Sequence, residues 1–173
     1  MTREGFIATP SSVLEPQVRA HAAGMFEVLS DPAIYRFENE PPESLEWLRA
    51  RFARLESRRS PDGRQRWLNW VIRVPSGELA GYVQATVHAD GRAAIAYVLA
   101  SRYWGRGLAS DAVTAMVGEL RERHGVRTLC AVLKQANEPS RRLLERLGFV
   151  PATQPLLDVL GLEPGEIAFM RDA

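Results

Sequence analysis

Three apolar, strand-like runs follow one another with almost nothing between them: RWLNWVIRV at 66–74, ELAGYVQATVH at 78–88 and RAAIAYVLA at 92–100. The separators, PSG and ADG, are far too short for a crossover, so neighbouring runs must reverse direction and pair as an antiparallel meander. Directly downstream the apolar period lengthens to that of a helix. Leu108, Ala112, Met116 and Leu120 fall on one helical face over 108–123, and the following His-Gly places Gly125 for a left-handed cap. A short buried strand, VRTLCAVLK at 126–134, comes next. Strand, helix and strand in that succession make a parallel crossover, built onto the last strand of the meander. The sheet is therefore mixed, and that requirement leaves few architectures open.

The flanks add helices. EPQVRAHAAGMFEVL at 15–29 puts Val18, Ala22, Met25, Phe26 and Leu29 on one helical face, and SDP ends it. PPESLEWLRARFARLESRR announces a second helix, with Ser44 as its cap and Leu45, Leu48, Phe52 and Leu55 as its buried stripe. SPDG at 60–63 turns the chain. NEPSRRLLERLGF supplies another helix, capped by Asn137, with Pro139 in its first turn and Gly148 beyond its end. EIAFMR at 166–171 reads as a final strand, whereas 151–165 carries no pattern that selects an element. With no internal repeat and no linker, 173 residues are expected to make one α+β domain. Its mixed, twisted sheet has about six to seven strands, with an antiparallel N-terminal meander, a parallel central crossover and about four helices.

Composition narrows the function classes. The net charge of +1 gives no global electrostatic case for nucleic acid, so no specific nucleic-acid partner is expected. Cys130 stands alone, which excludes an internal disulfide framework and a cysteine-rich zinc site, and no metal is expected. No stretch approaches the roughly 20 apolar residues of a membrane span. The opening MTREGFIATP has neither the basic start with an apolar core nor the cleavage site of an export signal, so the expected location is cytoplasmic.

RYWGRGLAS at 102–110 lies where the last meander strand becomes the crossover helix. Gly105 and Gly107 remove side chains there, letting consecutive backbone N–H groups converge on an anion beside the helix macrodipole. Arg102 and Arg106 add positive charge. Together they read as a pyrophosphate cradle. A dinucleotide fingerprint does not fit, because the next strand ends in Lys134 with no acidic residue for a ribose. The G-x-x-x-x-G-K-[ST] loop of nucleotide triphosphatases is absent.

Two motifs together resemble the GNAT superfamily of acetyl-coenzyme A-dependent N-acetyltransferases. The pattern Arg/Gln-x-x-Gly-x-Gly/Ala after a strand is present as Arg102, Gly105 and Gly107; N-x-x-S-x-x-x-x-E-x-x-G-F is present as Asn137, Ser140, Glu145, Gly148 and Phe149. The motifs cover 93–150, and the element order extends the likeness over nearly the whole chain, most strongly to the branch of ribosomal-protein N-terminal (Rim-type) acetyltransferases. The resemblance implies a single N-acetyltransferase domain over 1–173, with its cofactor-binding core at about 93–150 and acceptor-site helices at about 15–58. It implies acetyl-coenzyme A as cosubstrate, with the pyrophosphate held by the backbone of Arg102 and of Gly105, Arg106, Gly107, Leu108 and Ala109. The strand ending AYVLA is implied to splay from LCAVL, leaving Val98, Leu99 and Ala100 to pair with the pantetheine arm. Asn137 and Ser140 are implied to face the pantetheine and its sulfur.

Direct attack of a neutral amine on the thioester, in a ternary complex, needs a base, an N–H for the oxyanion and relief for the departing thiolate. The N–H near Val98 or Leu99 suits the second. Many relatives carry a tyrosine seven residues after the asparagine; here that position is Leu144. A thiol of pKa about 8.5 is already a tolerable leaving group, so a hydrogen bond from Ser140 suffices. Strand 92–100 offers Tyr97 but no carboxylate, since Ala94 stands where some relatives carry glutamate. Glu38 is the remaining catalytic candidate, with Glu40 and His88 as further possible bases; His21 and His124 read as a helix-face residue and a helix C-terminal cation. The acceptor is a primary amine, either a protein N-terminus or a small molecule, and relatives are monomers or homodimers. The missing tyrosine and carboxylate leave a non-catalytic acyl-coenzyme A binding module as the alternative. RARFARLESRRSPDGRQR at 49–66 reads as a solvated basic face or as a recruiter of an acidic acceptor or ribosomal surface.

Overall fold

The computed structural model describes residues 4–37 and 39–173. A hairpin of β1 (Ile7–Ala8) and β2 (Val13–Pro16) opens an eight-stranded sheet. Its turn is held by Thr9, whose Oγ1 accepts from the N–H groups of Ser11 and Ser12. After α1 (Ala22–Leu29) and α2 (Leu45–Leu55), the meander follows as β3 (Gln65–Arg73), β4 (Leu79–His88) and β5 (Arg92–Leu99). Each of its strands is antiparallel to the next, and β2 joins β3 in the same sense. The helix α3 (Leu108–His124) then crosses to β6 (Thr128–Lys134), which runs parallel to β5. The helix α4 (Glu138–Arg146) leads to β7 (Val150–Pro151), α5 (Gln154–Leu160) and β8 (Glu166–Asp172). The strand β8 inserts between β6 and β7, antiparallel to both.

Paired residues on neighbouring strands share a face, and that rule sorts the helices. Val83, Ala85 and Val87 look to the same side as Tyr97, Ile95 and Ala93. Arg66, opposite Val87, donates from this side to the His124 carbonyl at the end of α3, 2.7 Å away. All four residues expected on the inner stripe of α3 (Leu108, Ala112, Met116 and Leu120) are buried. On the opposite face Tyr82, Gln84 and Val98 look toward α2 and the chain that leads into it. The stripe of α2 is Leu48 and Phe52, and Ser44 caps it by accepting from the Trp47 N–H at 3.0 Å.

Three expectations are corrected. The helix drawn over 15–29 begins only at Ala22, because Val13–Pro16 pair with β3 from Trp70 to Arg73 and bury Leu14 completely. Val18 consequently sits outside the helix and is exposed. Second, the unassigned stretch 151–165 contains α5, opened by Thr153 and closed by Gly161 in the left-handed conformation. Third, among the described residues the sheet has eight strands and there are five α-helices, the surplus being two-residue strands, the β2 edge and α5. The class itself, α+β with an antiparallel meander and a parallel central pair, is as the sequence requires.

Candidate active site

The parallel pairing of β5 and β6 is short. It covers Arg92 with Thr128, Ala93 with Leu129 and Ala94 with Cys130, and then stops, although β5 continues to Leu99 and β6 to Lys134. Each strand keeps its other neighbour: β5 stays on β4 as far as Leu99 with Gly81, and β6 stays on β8 along its whole length. The sheet is therefore split from Ile95 onward. The Val98 carbonyl points at β4, where it lies 2.0 Å from the place a Cβ would take on Gly81, and the Ala100 N–H donates to the Ala80 carbonyl. Alternation along the strand then aims the N–H groups of Tyr97 and Leu99 into the split. The Leu99 carbonyl on that edge already accepts from the Trp104 indole at 2.8 Å.

Directly beyond β5 the chain makes one 3-10 turn at Ser101–Tyr103 and reaches the glycine loop. Gly105 (φ 72°) and Gly107 (φ 78°) are both left-handed, a conformation that costs an L-residue about 1–2 kcal/mol. Nothing lies within 4 Å of where a Cβ would stand on either, so open space faces the backbone here. Gly107 is the N-cap of α3 and has no side chain to satisfy the first-turn N–H groups. Arg102 and Arg106 both lie over the Tyr103 ring, 4.9 and 5.8 Å from its centre. Tyr103 is buried and anchored through its hydroxyl to Glu78 at 2.9 Å, so the ring fixes both guanidinium groups beside the loop.

Two residues expected to share the chemistry meet across the split. The Tyr97 hydroxyl lies 2.5 Å from Ser140 Oγ and donates to the Ser140 carbonyl at 3.2 Å. Ser140 is presented in the first turn of α4, where Asn137 Oδ1 accepts from its N–H at 3.3 Å. Asn137 thus acts as the helix cap. Leu144, at the position where a tyrosine was sought, is in the core and 1% exposed.

On the α2 face, a cleft of about 270 Å³ leads to the split; Tyr35, Trp47, Asn69, Tyr82, Gln84 and Val98 line it. Burial pushes the Tyr35 hydroxyl up to about 12, where it donates to the Leu29 carbonyl, and burial also raises that of Tyr82. Both are neutral hydrogen-bonding groups at physiological pH. Glu40 reaches the cleft; Glu38 lies outside the described residues. His88 does not join the site: it is six residues along β4 from Tyr82, about 20 Å at the rise of a strand. Burial, then the Arg92 charge, hold its imidazole below the usual histidine range. His21 is engaged elsewhere, against Glu15.

Two structural residues escaped sequence reasoning. Gly81 permits the close approach of β4 to β5, and the only hint was an isolated glycine inside a strand. Asp31 accepts from the Ser101 N–H at 2.8 Å and the Ser101 hydroxyl at 2.6 Å, and its other oxygen caps Ala33 at 3.0 Å. It ties the segment before α2 to the start of the glycine loop. Among the described residues, no cluster of histidine, cysteine or carboxylate groups is arranged to hold a metal, and no helix is long and apolar enough to cross a membrane.

A mixed sheet split between its central parallel strands, with a glycine loop feeding the helix that crosses between them, is the architecture of an acyltransferase. Residues 13–150 match the family model for the acetyltransferase (GNAT) domain, and the chain belongs to that family. It is an acetyl-coenzyme A-dependent N-acetyltransferase. Among solved structures, the ribosomal-protein-S5-alanine acetyltransferase of Vibrio fischeri is 16% identical, with a TM-score of 0.78 over 98% of this chain and 97% of that one. The Salmonella typhimurium acetyltransferase that modifies the N-terminal serine of ribosomal protein L7/L12 is also 16% identical, with a TM-score of 0.76 over 97% and 99%. A RimL ribosomal L7/L12 α-N-protein acetyltransferase in complex with coenzyme A gives 0.78 over 96% and 97%, again at 16% identity. At these identities the likeness is one of fold. No curated protein matches significantly.

Proposed function

We propose that this domain acetylates the α-amine of a peptide or protein N-terminus, with acetyl-coenzyme A threaded through the split between β5 and β6. The observation that carries this reading is the geometry of the split: the glycine loop lies at its end, and the α2-side cleft opens onto it. The pyrophosphate settles on the backbone of Arg102 and of Gly105 to Ala109, with Arg102 and Arg106 supplying countercharge. The pantetheine lies along the free edge at Val98, Leu99 and Ala100, where only the N–H groups of Tyr97 and Leu99 point into the split. Alternation favours the Leu99 N–H, with that of Tyr97, over Val98 for the edge hydrogen bonds and for the thioester oxyanion. The acceptor amine enters from the cleft, whose mouth is formed by Val98, Tyr82 and Gln84. Glu40, which lines this cleft, and Glu38, two residues before it in sequence, are the proposed bases. Likeness to acetyltransferases of ribosomal-protein N-termini supports a protein α-amine over a small-molecule amine.

In the transfer step the amine nitrogen bonds to the acetyl carbon, the carbon–sulfur bond breaks, and the amine proton passes to the base. The departing thiolate receives a hydrogen bond from Ser140. Tyr97 completes that arrangement: when its one hydroxyl hydrogen turns from the Ser140 carbonyl to Ser140 Oγ, the serine's own hydrogen is left for the sulfur. Ser140→Ala is expected to lower kcat by about tenfold or more with little change in coenzyme A affinity, and Tyr97→Phe to follow in the same direction. Thiol release and calorimetry on both variants check this, and an unchanged kcat in Ser140→Ala removes the serine from the chemistry.

A further inference from the structure

We propose that the acceptor carries negative charge a few residues beyond its reacting amine, and that Arg51, Arg54 and Arg59 form the subsite that reads it. The inference rests on the proposed transfer to a peptide α-amine. A second concavity, of about 780 Å³, adjoins the acceptor cleft and shares Arg51, Asn69 and Gln84 with it. The two are one continuous surface on the α2 side of the sheet. Arg51 and Arg54 are three residues apart on α2 and project from the same side; Arg59 approaches from the chain after α2. Trp67 and Thr86 form part of the floor.

Nothing in the described residues neutralises these three charges. Among the described residues none has a carboxylate within ion-pair distance: Glu46 pairs with Arg49, Glu56 accepts from the Arg19 N–H, and Glu40, which lines the cleft with Arg51, forms no ion pair with it. Arg51 is steadied by lying over the Trp47 ring, 5.7 Å from its centre. Three unpaired guanidinium groups around one concavity raise the local concentration of anions, and their planar forks match carboxylates. Arg49, the remaining arginine of α2, does not line the concavity and is neutralised by Glu46, so the unneutralised charge gathers on one wall.

The strand gives a ruler. Tyr82 pairs with Val98 at the mouth of the split, and Thr86 on the subsite floor lies four residues along β4, about 13 Å away. An extended peptide covers that span in about four residues. The chemistry recognised is thus an N-terminus with Asp or Glu at about its third to fifth positions.

The test compares three decapeptides with a common N-terminal residue and Ala, Glu or Lys at positions three to five, using the parent and an Arg54→Glu/Arg59→Glu double variant. Peptide affinity is read by calorimetry with coenzyme A present, and acetylation by thiol release. The parent is expected to bind the Glu peptide about tenfold or more tightly than the Ala peptide, with a ratio that shrinks as salt is raised. In the double variant the preference should move to the Lys peptide, and its retained coenzyme A affinity shows that it is folded. Equal affinity for the Glu and Ala peptides, or a Glu preference that survives charge reversal, overturns the subsite. So does displacement of the Glu peptide by a single-stranded RNA at lower concentration than by the peptide itself, which assigns the arginines to nucleic acid. Glu-selective binding with no acetylation of any peptide upholds the subsite and removes the transfer reading instead.

Discussion

Gly81 shows how much one residue decides. Its backbone angles are ordinary, so conformational freedom does not require glycine here; close approach does. A Cβ would meet the Val98 carbonyl oxygen at 2.0 Å and Leu99 Cα at 2.9 Å, both backbone atoms that cannot rotate away. The register of β3 on β4 shifts between Ile72 and Arg73, passing over Ala80, whose carbonyl takes the Ala100 N–H. This bulge and Gly81 together draw the end of β5 onto β4, and hence away from β6. Gly81→Ala is expected to destabilise the fold by about 1–3 kcal/mol, lowering Tm by several degrees, and to weaken coenzyme A binding as β5 is displaced. Calorimetric melting checks it; a Tm within a degree of the parent would show that the strands yield. The glycine was visible in ELAGYV, but the strand it admits begins eleven residues later in sequence, and one sequence does not state that distance.

Elements whose cause is local were legible. Ser44 and Asn137 each sit at the start of a helix and each accepts the expected first-turn N–H. The apolar stripe of α3 and its glycine cap likewise follow from residues within a few turns of one another. The strand β2 is the counterexample. Four residues are too few to express a period, and what makes them a strand is β3, more than fifty residues away. Glu15 records that dependence chemically: it accepts from Arg73 on β3 at 2.5 and 3.0 Å and meets His21, just before α1, at 3.0 Å. The Arg73 hydrogen bonds hold the Glu15 carboxyl below the usual value of 4.5. Because the folded-state value is depressed, the stabilisation is complete above the unfolded value and is lost as pH falls through the folded one. Glu15→Gln is therefore expected to melt below the parent at pH 7, with the gap beginning to close only once the pH falls below the usual glutamate value and vanishing below the depressed folded one. Parallel melting curves that keep a constant gap across this range would rule out the charge as the cause.

At the scale of the whole molecule, one carboxylate joins the two halves of the site. Asp31 stands between α1 and α2, on the side proposed for the acceptor, and grips Ser101 at the start of the glycine loop through two hydrogen bonds. Those bonds, from the Ser101 hydroxyl first and its N–H second, hold the Asp31 carboxyl below its usual range, so the link is intact at neutral pH. Asp31→Asn removes the charge and leaves one oxygen for three donors. Coenzyme A affinity should fall about tenfold, and the KM of the acceptor should rise with it. Coenzyme A binding equal to the parent's would show that the loop holds its shape unaided. By itself the sequence determined the meander, the crossover, the helix caps and the glycine loop, because each follows from periodicity or turn chemistry acting over a few tens of residues at most. Only the tertiary structure decided that β5 leaves β6 after Ala94, that Tyr97 meets Ser140 forty-three residues away, and that three arginines converge beside the cleft on the α2 face. These depend on which distant surfaces close on one another, and the free energy of closing a long loop is nearly blind to the residues inside it.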